Sequence, residues 1–458
     1  MSSEAVATGH AEASGSVAGR IGFGVFLLSA MFLSFVAGAF VILNGSFPAR
    51  HLGDAYRGGQ ALIAKQTHYP NEFRTDLWVP ARGDRRGVTV HDPARAQAGL
   101  TLYTSGDGTH ARLVTMAGEV AHEWRLPFSA VWNEDAAVEN PQPDNFMYWR
   151  KAHLFPNGDL LAIYVAAGDS PWGYGLVKLN AASEPLWTYL QHTHHDVDVG
   201  ADGRIYALTH EFSRKLYDGF PHLTTPRIDD SVVVLSPDGA ELQRVPIIDA
   251  FVNSPYARLL NKGSWYNDDD FLHTNSIDVI DEDAAARLPF AKAGQVLLSF
   301  RDMDTIAVLD LERQQIVWAL RGPWMSQHDA DVLPNGEIML FDNLGHFGPG
   351  GRSRVIAFDP MTSEITWQYR GTRAQPFDSE VRAAQQRLPN GNTLITEAVG
   401  GRLFEVTADG DIVWEFINPV RANDPDDATR QLIPVTSWGQ RIDPATLEPD
   451  FAAALERE

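Results

Sequence analysis

Two nine-residue segments place the same acid–base residues at the same distance from a turn glycine. His195 lies eight positions before Gly203 in HDVDVGADG, and His328 lies eight positions before Gly336 in HDADVLPNG. They share histidine, two aspartates and glycine. His273 opens a third segment, LHTNSIDVIDED, in the same manner, with an acidic turn and insertion replacing the glycine. A second register follows. Seven positions beyond Gly203, Gly294 and Gly336 stand His210, Arg301 and Asn343. Three histidines could hold a transition metal with one position open. An arginine beside them disfavours a cation and suits a tetrahedral oxyanion, to which its fork donates twice. Neutral imidazole can attack an electrophile while its neighbours donate hydrogen bonds or move protons. The set therefore predicts a sulfuryl or phosphoryl site. For Asp196, Asp198, Asp329 and Asp331 the preferred reading is structural, with each carboxylate bonding turn backbone.

Residues so far apart in sequence converge only if the elements carrying them repeat around an axis. From about residue 96 an apolar strand follows turns such as PNG (156–158), ADG (201–203), PNG (334–336) and PNG (389–391), which supply the Asn/Asp-Gly pairs of tight hairpins. Strands ending in tryptophan recur at Trp124, Trp187, Trp318, Trp367 and Trp414. Six units begin near 99, 150, 193, 272, 326 and 380, with loops intruding at 212–229, 250–270 and 281–293. Four-stranded units of this length predict an all-β, six-bladed β-propeller, with seven or eight blades also compatible with the turns; the blades' first strands line a central channel. Equivalent positions on other blades carry Arg150 and Ala383, so folding does not require histidine there.

The N-terminal region reads differently. Residues 1–19 form a disordered tail, and the uncharged run Ile21–Leu43 is long enough to cross a bilayer. Its length favours a signal anchor over 20–43, although Ala-Gly-Ala at 37–39 offers a cleavage site. Arg20 precedes the span, whereas Arg50, Arg57, Lys65 and Arg74 follow it, against the positive-inside trend; large exported domains escape that rule. The expected organisation is a linker over 44–95 packing on a main domain at 96–445, then a tail at 446–458.

Composition excludes several function classes. With 59 acidic residues against 37 Lys and Arg, the formal charge is −22, and no basic run offers a nucleic-acid face. Cysteine is absent, which removes disulfides, thiolate metal sites and cysteine nucleophiles. No cofactor or metal is expected, and a homodimer is left open. Aromatics Trp149, Trp172, Tyr174, Trp265, Tyr266 and Trp324 near strand starts could stack on an aryl ring or fill the core. The run Asp268–Asp270 reads as solvated loop, with tuning of His273 or calcium binding as the other readings.

FLHTNSIDVI, VLLSFRDMDTIAVLD and QHDADVLPNGEIMLFDN resemble, in order and content, the bacterial arylsulfotransferase family, and the likeness runs through about 145–445. That family consists of six-bladed propellers that transfer sulfuryl groups between phenols without the nucleotide donor PAPS. The resemblance implies that His328 becomes sulfohistidine, that His273 and Arg301 grip sulfate oxygens, and that Asn275 assists. It further implies that His195, or its neighbour His194, completes the histidines, and that Thr396 joins the site. The implied partners are an aryl sulfate donor and a hydroxyl acceptor, while the uncharged span Ile21–Leu43 itself predicts an inner-membrane anchor with the propeller in the periplasm. The anchor, the lack of cysteine and the long insertion between His273 and Arg301 depart from the family pattern, so a lipid, glycan or polyketide acceptor stays open. A non-enzymatic envelope scaffold and a metal-dependent lyase or hydrolase are the rival readings.

Overall fold

A computed structural model describes residues 17–44, 47, 70–262 and 270–456. The chain divides into two units, 1–68 and 69–458. In the first, Val17–Leu43 is one continuous helix. Its stretch Ile21–Leu43 is long and apolar enough to cross a membrane, and none of its residues is buried.

The second unit is mostly β, in a propeller-like arrangement. Among the described residues, six sheets of four or five strands and one of three strands are formed. The four consecutive strands that open at Met147, Thr193, Thr274 and His328 each pair antiparallel in chain order. The hairpin glycines Gly158, Gly203, Gly336 and Gly391 all have φ between 80° and 88°, the left-handed turn conformation their motifs call for. The sheet that begins at Leu100 takes its first strand from the far end of the chain, Thr436–Ile442. The sheet that begins at Ala384 gains a fifth strand, Gly87–His91, from the segment expected to be linker. The expected C-terminal tail carries a helix, Pro449–Leu455, whose Phe451 packs into the core between the sheets at Leu100 and Met147.

Two sets of polar contacts tie neighbouring sheets together. On the outside, strand-end tryptophans cap the next sheet's hairpin: Trp124 donates to Gly158 O at 3.1 Å, Trp187 to Pro237 O at 3.1 Å, Trp367 to Ala408 O at 2.9 Å and Trp414 to Met116 O at 3.1 Å. On the inside, the HDxD aspartates accept backbone N–H groups from the first strand of the following sheet. Asp196 takes Ile277 N at 3.0 Å, Asp198 takes Val279 N at 2.8 Å and Asp329 takes Gln385 N at 2.7 Å, while Asp331 takes the Gln385 side chain at 2.8 Å. Their role is structural but directed at the neighbouring sheet rather than at their own turns. Between the sheets lie continuous apolar clusters of Leu, Ile, Val and Phe. A rigid frame therefore holds the ends of the first strands, where the histidines sit.

Candidate active site

The first strands deliver their residues to a cavity of ≈ 300 Å³. His195, His273, Arg301 and His328 all line it, together with Arg150, Arg382, Tyr148 and Trp172. The local backbone explains why. The ladder of the strand Thr193–Val199 shifts register between His194 and Val197, and that of His328–Val332 shifts between His328 and Asp331. Such bulges re-aim a side chain from the sheet face toward the axis. His195 adopts φ 51° to do so.

The register of His273 differs from the expectation. Asp198 and Asp278 accept the amides of Val279 and Val332, which makes Asp198, Asp278 and Asp331 equivalent and puts Asn275, not His273, level with His195 and His328. His273 stands two residues earlier, at φ 48°, just before the strand Thr274–Val279. It reaches the same cavity from the entering segment. Arg301 likewise lies just past its strand, opening the short 3-10 turn Arg301–Met303.

His328 is held by the sheet behind it. Asn343 gives both amide hydrogens away, to Ser379 O at 2.7 Å and Arg382 O at 2.8 Å, so its Oδ1 can only accept. His328 Nδ1 lies 2.8 Å from that oxygen and 3.2 Å from Ser326 O, both acceptors. Nδ1 therefore carries the hydrogen, and Nε2 keeps the lone pair. Burial, then the nearby Arg150 and Arg301 charges, hold this imidazole well below its usual pKa and so neutral.

His273 has both nitrogens engaged. Nδ1 bonds to the buried Asp270 carboxylate, and Nε2 lies 3.0 Å from Arg301 Nη1. Because Arg301 can only donate, Nε2 accepts and Nδ1–H donates to Asp270. Burial pushes the Asp270 carboxyl up, but the His273 contacts outweigh it and the net shift is downward. Asp270 is thus a fixed, buried partner of His273, not solvated loop; Asp268 and Asp269 lie outside the described residues. Arg301 is steadied by Asp302 at 2.9 Å. His195 is half-buried beside these groups; desolvation of its ring, then His273 and His194, depress its pKa well below the usual range. Its Nδ1 meets His194 Nδ1 at 2.7 Å, and His194 points away from the cavity toward Asp230.

Two expected site residues are placed differently. Asn275 is buried with its amide on Gln327 O at 2.7 Å, and it does not line the cavity. Thr396 is buried on the second strand of its sheet, paired with Ala384 and next to Gly439, and is also absent from the lining. Trp172 faces His273 with ring centroids 5.6 Å apart, whereas Trp149 and Tyr174 are fully buried in the core and Trp324 is packed with its Nε1 on Asp304 O. Trp265 and Tyr266 lie outside the described residues. Arg150, Arg382 and Asn343 were not counted among the expected site residues, although repeat alignment placed Arg150 level with the histidines and Asn343 level with Arg301. Arg150 donates Nη1 to Ser437 O at 2.7 Å and faces the cavity, with no carboxylate bonded to it among the described residues. Arg382 is paired with Asp76 at 2.6 Å.

The frame is mostly β, and it sets a neutral, oriented imidazole among arginines, an arrangement whose chemistry suits an anion. The sequence profile of the arylsulfotransferase (ASST) family matches residues 151–419, more than half of the chain, and the protein belongs to that family. No curated protein matches it. Solved structures similar in shape include a protein of unknown function from Bacteroides caccae (11% identity, 74% of this chain and 99% of that one, TM-score 0.44). Another is a streptogramin B lyase (12%, 78% and 95%, TM-score 0.39). A third is the WD40 β-propeller domain of Doa1 (11%, 81% and 98%, TM-score 0.40).

Proposed function

We propose that this chain transfers a sulfuryl group from an aryl sulfate to a hydroxyl acceptor, without PAPS, through a sulfohistidine at His328. The observation that carries this reading is the bond between His328 and Asn343, which leaves a neutral Nε2 lone pair in a cavity walled by Arg301 and Arg150. In the first half-reaction Nε2 attacks sulfur, the S–O bond to the aryl group breaks, and the aryloxide leaves with the electron pair. Charge spread over three sulfuryl oxygens meets Arg301 and Arg150, fixed donors that need no rearrangement, while His273 Nε2 holds the Arg301 guanidinium in place. In the second, the acceptor oxygen displaces Nε2, and His195 receives its proton. His273 cannot serve as a metal ligand while both nitrogens are bonded to Asp270 and Arg301, which disfavours the three-histidine metal reading.

On this reading the six sheets are blades of one closed propeller over 96–445, the strand Thr436–Ile442 completing the first blade and residues 44–95 bridging to a membrane anchor at 20–43. The propeller then lies in the periplasm, which a C-terminal phosphatase fusion reports; fluorescence of a cytoplasmic reporter without phosphatase activity overturns it. The chemical test is intact-mass measurement after incubation with an aryl sulfate. One sulfuryl adduct on wild type and none on His328→Asn is expected, with parallel double-reciprocal plots in turnover. An adduct that persists in His328→Asn places the nucleophile elsewhere.

A further inference from the structure

Behind the cavity wall lies a second cluster of titratable groups. His194, His210 and Asp230 are buried, and one ligand atom of each lies within 4.8 Å of the others; among the described residues His194 Nε2, His210 Nδ1 and Asp230 Oδ1 make no hydrogen bond. Two imidazoles and a carboxylate at that spacing would suit a metal ion. One contact argues otherwise. Gly173 N–H donates to His210 Nε2 at 3.2 Å, so a neutral His210 carries its hydrogen on Nδ1 and has no lone pair there for an ion. Burial, then His194, hold His210 in that neutral form.

The cluster instead fixes protons in one direction. Asp230 Oδ2 accepts Thr274 N–H at 2.8 Å, which orients the carboxylate. Its Oδ1, 3.4 Å from His194 Nε2, can only accept, and so favours hydrogen on Nε2. His194 Nδ1 is then a lone pair, and the 2.7 Å contact to His195 Nδ1 requires that His195 donate. Hydrogen on His195 Nδ1 leaves its Nε2 bare, in a residue that lines the cavity beside His273, ring centroids 4.9 Å apart. The rings of His194 and His210 stack at 4.2 Å, which holds the first of them in plane.

We propose that Asp230 and His194 are positioning residues that keep His195 as the base for the acceptor hydroxyl. The proposal rests on the sulfotransfer reading above. When the acceptor oxygen bonds to sulfur, the S–N bond breaks and its electron pair returns to His328 Nε2. The hydroxyl proton passes to His195 Nε2, and the resulting imidazolium shares its Nδ1–H with His194, whose far side faces the Asp230 carboxylate. The proton then leaves to water, where it balances the aryloxide released by the donor. The relay matters because Arg150 also faces His195 and opposes a positive charge on it, as His273, His194 and His328 do whenever they are themselves protonated.

Asp230→Asn in the full chain tests this. Its amide oxygen can still accept Thr274 N–H, while its NH₂ donates to His194 Nε2 and reverses the relay, leaving hydrogen on His195 Nε2. With para-nitrophenyl sulfate as donor, which needs no proton to leave, sulfuryl labelling of His328 should keep its wild-type rate. Transfer to an un-ionised phenol should fall by about 10²-fold, the usual scale of general-base catalysis. Transfer to a phenol acidic enough to be ionised in the assay should stay within a few-fold of wild type. His194→Gln should behave alike and covers the case that Asp230→Asn misfolds. Equal losses for both phenols, or wild-type rates with both, overturn the relay while leaving the sulfohistidine intact. A wild type that takes no label overturns the sulfotransfer reading itself, and the relay with it.

Discussion

Exchanging Asn343 for aspartate keeps an oxygen against His328 Nδ1 and changes only its charge. In the native site the amide oxygen accepts Nδ1–H at 2.8 Å, and burial with Arg150 and Arg301 keeps the imidazole neutral. A carboxylate about 4 Å from the imidazolium charge, at an effective dielectric of about 20, favours the protonated form by about 4 kcal/mol. At 1.36 kcal/mol per unit, that is about three pH units. Ser379 O and Arg382 O lose their donors and face the new carboxylate, a penalty that brings the expected rise to about two units. Protonated His328 has no lone pair, so below the new value the rate of sulfohistidine formation drops about tenfold per pH unit. Single-turnover release of aryloxide across pH, with intact mass as the check, measures this directly. The acid limb should move upward by about two units while the alkaline plateau stays near wild type. A limb that does not move while the plateau falls would refute the reasoning, because the attacking lone pair would not be the one set opposite Asn343.

Other outcomes follow from the same geometry. Arg301→Ala should slow labelling by about 10²–10³-fold, the scale of one lost oxyanion donor, and Arg301→Lys should restore only part, since a point charge lacks the fork; single-turnover rates decide. Arg150→Gln removes a buried cation that faces the cavity, and about a tenfold loss in kcat/KM for the donor is expected, with unchanged rates showing that sulfate does not reach it. Asp329→Asn should stabilise the fold at alkaline pH. Burial raises the carboxyl from 3.8 to about 6, against the opposing pull of Lys151. The folded state therefore holds a proton that the unfolded state has released between those values, and stability falls as pH rises through the window. Removing the charge should recover up to about 3 kcal/mol above pH 6 and nothing below pH 4; thermal melts at the two extremes check it, and an equal shift at both would mean packing rather than charge.

The features legible in the sequence were those written in local chemistry. Each PNG or ADG turn needed a left-handed glycine, and each has one. The matched HDxD segments marked equivalent strands because their aspartates accept amides of the next sheet's first strand. Features that depend on distant partners were not legible. Nothing near Thr436 announces a first strand for the sheet at Leu100, because its partner lies more than three hundred residues earlier. Aligning His273 with His195 and His328 failed by two residues because its unit has no turn glycine to count from, and only the ladder shows Asn275 at that level. The second register tells more. His210, Arg301 and Asn343 share a spacing, and each one contacts a histidine at or near the first register: His210 stacks on His194, next to His195, Arg301 bonds to His273, two residues before that register, and Asn343 bonds to His328. A strand that follows the histidine strand in a sheet necessarily lies beside it, so a residue at its end can set the tautomer or charge of the histidine next door. The repeat thus positions a histidine and its modifier together, and the identity of the modifier differentiates the three. Stacking leaves His194 as a relay, a guanidinium makes His273 an acceptor edge, and a carboxamide with both hydrogens committed elsewhere makes His328 the one with a free, neutral lone pair.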